Sequence, residues 1–288
     1  MAGNESTETP VEEGFDQTED LTKKTVLADH LSRVHCGGRI HKAVFSGRFG
    51  AVGHSRSLDL MVIAPELSDA VALPHALSIP DLNRVGRLIK NEPRELLDLT
   101  YDPALCRLVL KRGDGCVFFC TEEQDPELVM ALERTAAQSL EQLASSDDTV
   151  WLTHGVAQAV IEGIRLLKPS LVSLQVEAEG SQFVITDGSN LIEIPHPDLW
   201  SDEPYWVLLN AKTFRAVLSQ VDRFTECTLQ PTGPDTVVAV CCGEYRYLLA
   251  ACAYDSTYQQ VRRLVRLARR HDSLRSGTDD ADGEEAPR

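Results

Sequence analysis

Three histidines set close together, His30, His35 and His41, are the first candidates for chemistry, because imidazole nitrogens bind zinc and related metals. Helical metal ligands need i, i+4 spacing or a matching carboxylate. The spacings here are five and six, and no HExxH follows, so the pattern does not make a metal site. Cys116 and Cys120 flank a strand-like run, where alternation puts both on one face as small apolar fillers. Cys241 and Cys242 are adjacent, so on a strand they point to opposite faces and make a poor ligand pair. No GxSxG, Walker loop or GxGxxG occurs, and Asp114-Gly115 and Asp187-Gly188 are turn chemistry first. Nothing places a nucleophile beside a base. The expectation is a non-enzymatic protein with no metal and no cofactor.

The cations are more informative. The 288 residues carry a formal charge of −16, unevenly spread. Residues 1–20 carry −7, residues 271–288 carry −4, and residues 258–270 (YQQVRRLVRLARR) carry +5. The remaining 21–257 is −10, which argues against coating nucleic acid over a whole surface but permits one basic face. Both ends are polar and acidic, and they are expected to be disordered tails because neither can bury enough apolar surface. The acidic, polar N-terminal stretch is not expected to be a secretory signal, and no apolar run reaches the roughly 20 residues that span a bilayer. Eight Cys without a CxxC pair suit buried thiols in a reducing cytosol.

The elements that would position the cations come in a repeat. LSIPDLNRVGRLIKNEPRELLDLTYDPALCRLVLKRGDGCVFFCTEE, from Leu77, resembles LNAKTFRAVLSQVDRFTECTLQPTGPDTVVAVCCGEYRYLLAACAYD, from Leu209. Each reads as strand, helix and hairpin. The helices carry Leu82, Val85, Gly86 and Ile89, and Phe214, Val217, Leu218 and Val221, both at the i, i+3, i+4, i+7 spacing of one buried face. Ser78 and Asn210 stand at the same offset as N-caps. The hairpins run over 105–110 and 117–120, and over 237–241 and 247–251, around Gly113-Asp114-Gly115 and Gly243-Glu244. A helix over 22–36 (Leu27, Leu31, Val34) and one over 153–168 (Val156, Val160, Ile164, Leu167) precede strands beginning at Phe49 and Phe183. The predicted fold is α+β: two pseudo-repeated domains, 21–123 and 149–257, each of two helix-plus-antiparallel-strand modules. Residues 124–148 read as a helical connector started by Asp125-Pro126, with Leu128, Leu132, Leu140 and Leu143 as its stripe.

A doubled helix-and-strand module, itself repeated, resembles the DNA sliding clamps, the processivity rings of replicative polymerases. WVLLNAKTFRAVLSQVDRF followed by VVAVCCGEYRYLLAACA is similar to the closing unit of a clamp domain. The resemblance covers 21–257 and implies curved outer sheets, helices lining a hole, and a homotrimer, since six domains complete the ring. It also implies duplex DNA bound without sequence preference, a DNA polymerase and an ATP-driven clamp loader as partners, and a cytoplasmic place at the nucleoid or replication site. The sequence departs from the family in its long helical connector, where clamps have an extended loop that helps dock partners. It also departs in the basic helix beyond the usual chain end.

A clamp must be basic inside and acidic outside. Residues 21–36 (Lys23, Lys24, Arg33) carry +2, 79–94 (with Arg84, Arg87, Lys90) +2, 153–168 (Arg165, Lys168) +1 and 210–223 (with Lys212, Arg215) +2. The rest of 21–257 then carries −17. These ten residues are the DNA-facing candidates, with Arg84, Arg87 and Lys90 foremost because they stand opposite the apolar row with no acid among them. Lys and Arg are also good helix formers on solvated faces, and the count alone does not choose. Arg262, Arg263, Arg266, Arg269 and Arg270 cover one side of the 258–270 helix, opposite Val261, Leu264, Val265 and Ala268. That helix could contact nucleic acid, pack on the ring exterior, recruit a partner, or simply cap the chain with a solvated face. The alternative to a sliding clamp is a clamp-fold interaction scaffold that is never loaded on DNA.

Overall fold

The computed structural model describes residues 22–46, 49–67, 77–102, 104–112, 114–123, 125–144, 149–178, 180–196, 199, 201–231, 237–252 and 263. The first half runs β1 (Thr22–Lys23), α1 (Lys24–His35), a 3-10 turn (Cys36–Gly38), β2 (Ala43–Ser46), β3 (Gly50–His54), β4 (Leu60–Ala64), β5 (Leu77–Ile79), α2 (Leu82–Lys90), β6 (Leu96–Asp102), β7 (Arg107–Arg112), β8 (Gly115–Cys120) and β9 (Glu122–Glu123). Helix α3 (Pro126–Ala144) leads to β10 (Val150–Trp151), α4 (His154–Leu167), β11 (Leu171–Glu177), β12 (Gly180–Thr186), β13 (Leu191–His196), β14 (Tyr205–Asn210), α5 (Ala211–Leu218), β15 (Cys227–Pro231), β16 (Val237–Cys242) and β17 (Tyr245–Ala250).

The strand order shows the repeat. One sheet is β1-β6-β7-β8, another is β13-β12-β11-β14, and the third is β10-β15-β16-β17-β4-β3-β2-β5-β9. Pairing β1·β6 matches β10·β15, and β2·β5 matches β11·β14, all antiparallel. The nine-stranded sheet is therefore four strands of the second half joined edge to edge to four of the first, with β9 added. The join is β17 on β4, with Arg246 opposite Ile63 and Leu249 opposite Leu60.

Strand alternation fixes which face each helix covers. Along β4, Leu60, Val62 and Ala64 enter the large core with Leu27, Leu31, Val85, Ile89, Val160, Ile164, Phe214 and Val217. Ile63 of the same strand faces the other way, into a small cluster with Ala136, Leu143, Ala239 and Leu248. So α1, α2, α4 and α5 share one side of the sheets, and α3 lies on the opposite side. Cys242 and Cys241 divide between the two clusters as adjacent strand residues must.

The structure corrects several expectations. Asp81, not Ser78, caps α2, its carboxylate accepting from the Arg84 amide at 3.0 Å, while Ser78 is buried inside β5. Asn210 caps α5 through the Lys212 and Thr213 amides at 3.1 Å, as expected. The first hairpin is 107–112 with 115–120, displaced from the sequence reading because Asp102 forms a turn with the Ala104 and Leu105 amides. Helix α3 buries Val129, Ala136 and Leu143, and Leu128 is exposed. Cys116 is exposed rather than filling space. Both tails, and the basic helix apart from Arg263, lie outside the described residues; Arg263 is helical and exposed.

Candidate nucleic-acid interface

On the helical side, α1 packs beside α2 and α4 beside α5. The buried rows turn the opposite faces of these helices outward. Arg84, Arg87 and Lys90 on α2, Arg165 on α4, Lys168 at its C-cap, and Lys212 and Arg215 on α5 are all exposed. No side chain of these seven is in an ion pair with another described residue. Arg87, Lys90, Arg165 and Arg215 sit in last helical turns, where they also complement the negative end of the helix dipole. Lys23 is exposed on β1.

Two of the predicted cations are held elsewhere. Lys24 donates from Nζ to the Glu92 carbonyl at 3.1 Å and lies 3.5 Å from the Glu95 carboxylate. Arg33 donates to Asp29 at 2.9 Å and to Asp222 at 3.2 Å, and its guanidinium lies 5.2 Å from the Tyr245 ring centroid. Its side chain is only 18% exposed, so it ties the two halves together and is not presented to a phosphate. Its helical position did not reveal this, because Asp222 is 189 residues away.

Further polar bonds stitch the same seam. The ring Nδ1 of His30 lies 2.9 Å from the Tyr245 hydroxyl. Burial, only partly opposed by the Asp29 charge, takes His30 down to about 4. Asp59 is bound by Arg39 at 3.1 Å and by the Thr213 hydroxyl at 2.6 Å. Burial acts to raise the Asp59 carboxyl, but hydrogen bonds from Ser55, Ser57 and Thr213 and the Arg39 charge bring it down to about 2. His30 is therefore a packed core imidazole. The rings of His35 and His41 are 6.4 Å apart, and no group of three or more His, Cys, Asp or Glu among the described residues is placed to hold a metal.

Between α1 and α2 runs a groove of about 460 Å³, lined by Lys24, His35, Asn83, Arg87 and Lys90, by the Asp29 carboxylate, and by smaller polar and apolar neighbours. Burial and the nearby His41 push the His35 imidazole down, which keeps it neutral at pH 7. Ser32, His35 and Asn83 are neutral hydrogen-bonding groups that a search for charge passes over. Their signal is position, on helix faces that turn toward each other. Arg87 and Lys90 give one wall of the groove a positive face, and Asp29 puts a negative charge on the other.

No protein-family model matches this sequence, and no curated protein matches it. Solved structures do match. The DNA polymerase sliding clamp of Pseudomonas aeruginosa superposes with a TM-score of 0.59 at 13% identity, covering 84% of this chain and 66% of that one. The DNA polymerase III beta subunit of Thermotoga maritima gives 0.57, also at 13% identity, with coverages of 84% and 66%. A. fulgidus PCNA, solved with the C-terminal region of FEN-1, gives 0.56 at 12% identity, covering 81% of this chain and 97% of that one. The chain thus spans about two thirds of the bacterial subunits and nearly all of the archaeal one. No described helix is long and apolar enough to cross a membrane. The chain has the α+β fold of the DNA sliding clamps.

Proposed function

We propose that this protein is a non-enzymatic sliding clamp, a homotrimeric ring that encircles duplex DNA and tethers a DNA polymerase or another DNA enzyme. The observation that carries the reading is the common side taken by α1, α2, α4 and α5, with seven exposed cations on α2, α4 and α5 and at the C-cap of α4 that make no ion pair among the described residues. Affinity then comes from ring closure, and the phosphate contacts of Lys23, Arg84, Arg87, Lys90, Arg165, Lys168, Lys212 and Arg215 stay weak and nonspecific. A clamp loader and a place at the replication site follow from the same reading.

The test is charge reversal on the lining. The K90E/K212E/R215E variant should keep the wild-type mass while its salt-dependent binding to short duplex falls at least about tenfold and its salt slope becomes shallower. Equal binding and an equal slope would remove the helical face from the account.

A further inference from the structure

Two cysteines of the second half face each other across a strand pair. Cys227 on β15 stands directly opposite Cys242 on β16. The Gly243 amide donates to the Glu226 carbonyl at 3.0 Å, so that neighbouring pair carries the hydrogen bonds between the strands. The Cys227 carbonyl turns the other way and accepts from the Leu152 amide at 2.9 Å. Cys227 and Cys242 are therefore a non-hydrogen-bonded pair, the kind in which opposed side chains approach closest. Cα atoms in such a pair lie about 4.5 Å apart, within the roughly 4.4–6.8 Å that a disulfide spans. Both side chains enter the large core, and the two thiols hydrogen-bond each other.

Their surroundings make the two sulfurs unlike. The hydrogen bond from Cys242 brings the Cys227 thiol below its usual range, against burial and the Asp222 charge, and the Arg33 guanidinium and the Asp222 amide act with it. Donating that bond, together with burial and the Cys227 charge, pushes Cys242 up, so it keeps its proton. The Asp222 carboxylate is already engaged, accepting from Arg33 at 3.2 Å and from the Phe224 and Thr225 amides at 2.8 and 2.6 Å. Cys242 is fully buried and Cys227 nearly so, but Cys227 lines an open pocket of about 240 Å³ with Trp151, His154, Arg223 and Glu226. A molecule the size of water or hydrogen peroxide fits there and meets Cys227 first.

We propose that Cys227 and Cys242 are a peroxide-reactive thiol pair that closes to a reversible disulfide across β15 and β16. This does not depend on the ring reading. The Cys227 thiolate attacks one oxygen of a hydroperoxide and the O–O bond breaks. The departing oxygen takes up the proton that the thiol released, and Cys227 becomes a sulfenic acid. The Cys242 sulfur then attacks the Cys227 sulfur, the S–O bond breaks, and the hydroxyl leaves as water with the Cys242 proton. Two electrons pass from the two thiols to one peroxide. In a reducing compartment the pair rests as the dithiol, and a thiol reductant restores it. Other cysteines lack the arrangement. Burial pushes Cys36 up to about 12 and also raises Cys241, which removes the thiolate that attacks peroxide. Cys116 is exposed, but Lys111 rather than a thiol stands opposite it.

The experiment treats the full chain at pH 7 with a small excess of hydrogen peroxide, quenches with catalase, alkylates the denatured protein and maps its peptides. Cys227 and Cys242 should be found joined to each other, and dithiothreitol should free both. Cys227 should be lost at least about tenfold faster than Cys36, as its greater thiolate character requires. In C242S, dimedone should tag Cys227 as the sulfenic acid, while in C227S Cys242 should stay open to alkylation. Circular dichroism checks the fold of both variants, and the wild-type map decides even where a variant does not fold. Cys227 and Cys242 both free after Cys116 has been oxidised, or each joined to some other cysteine, overturns the pair. A dimedone tag on Cys242 in C227S overturns Cys227 as the attacking sulfur.

Discussion

His30 and Asp59 tie stability to pH in the same direction from different starting points. His30 titrates near 4 in the fold and near 6.5 when unfolded, so the unfolded chain binds more protons between those values. Its contribution is complete above 6.5 and is lost as pH falls toward 4. Melting temperature followed from pH 7 to 4.5 should drop, and H30V should flatten that drop; an unchanged slope would remove His30 as its source. Asp59 acts lower, its contribution present above its ordinary value of 3.8 and lost as pH falls toward 2. Replacing Asp59 by Asn leaves Arg39 without its charge partner and should cost roughly 1–3 kcal/mol in urea unfolding at pH 7. A loss below about 0.5 kcal/mol would mean the seam does not depend on that carboxylate. Neither residue could be assigned from the sequence. His30 stood among three histidines with metal-like chemistry, and its partner Tyr245 lies 215 residues away.

At the scale of elements, what was legible is what is local. The rows Leu27–Leu31–Val34, Leu82–Val85–Ile89 and Phe214–Val217–Leu218 are buried as their spacing requires. Asn210 was readable as a cap because it immediately precedes its helix. Ser78 misled because it occupies the matching offset, three residues too early for a helix that begins after Asp81. The connector helix was readable from Asp125-Pro126 and its periodicity. Its buried face was read one residue off at the start, since Leu128 and Val129 are both apolar and only the sheet beneath decides between them. That sheet contact gives a test. Leu143 is 6% exposed against Ala136, Ile63 and Leu248, and Gln230 bonds its carbonyl. L143A should cost about 2–4 kcal/mol in denaturant unfolding while leaving the assembly mass unchanged. A change in mass would place α3 at the joint between copies instead of on the back of the internal seam.

For the whole molecule, the charge count says which helices are basic and not what each basic residue faces. Arg84, Arg87 and Lys90 look alike on a helical wheel, yet they face different neighbours. Arg87 and Lys90 line the groove toward α1, and Arg84 is exposed outside it. Sequence shows which side of a helix is polar and cannot show which neighbouring helix that side faces. On the proposed function, binding should depend on topology more than on charge, since the chain as a whole is acidic. The direct measurement is to incubate the protein with linear duplex, ligate the DNA into a closed circle, and pass it over a sizing column in salt that strips electrostatic contacts. The protein should travel with the circle and come free after a single restriction cut. Elution apart from the uncut circle, or continued retention after the cut, would contradict the encircling ring.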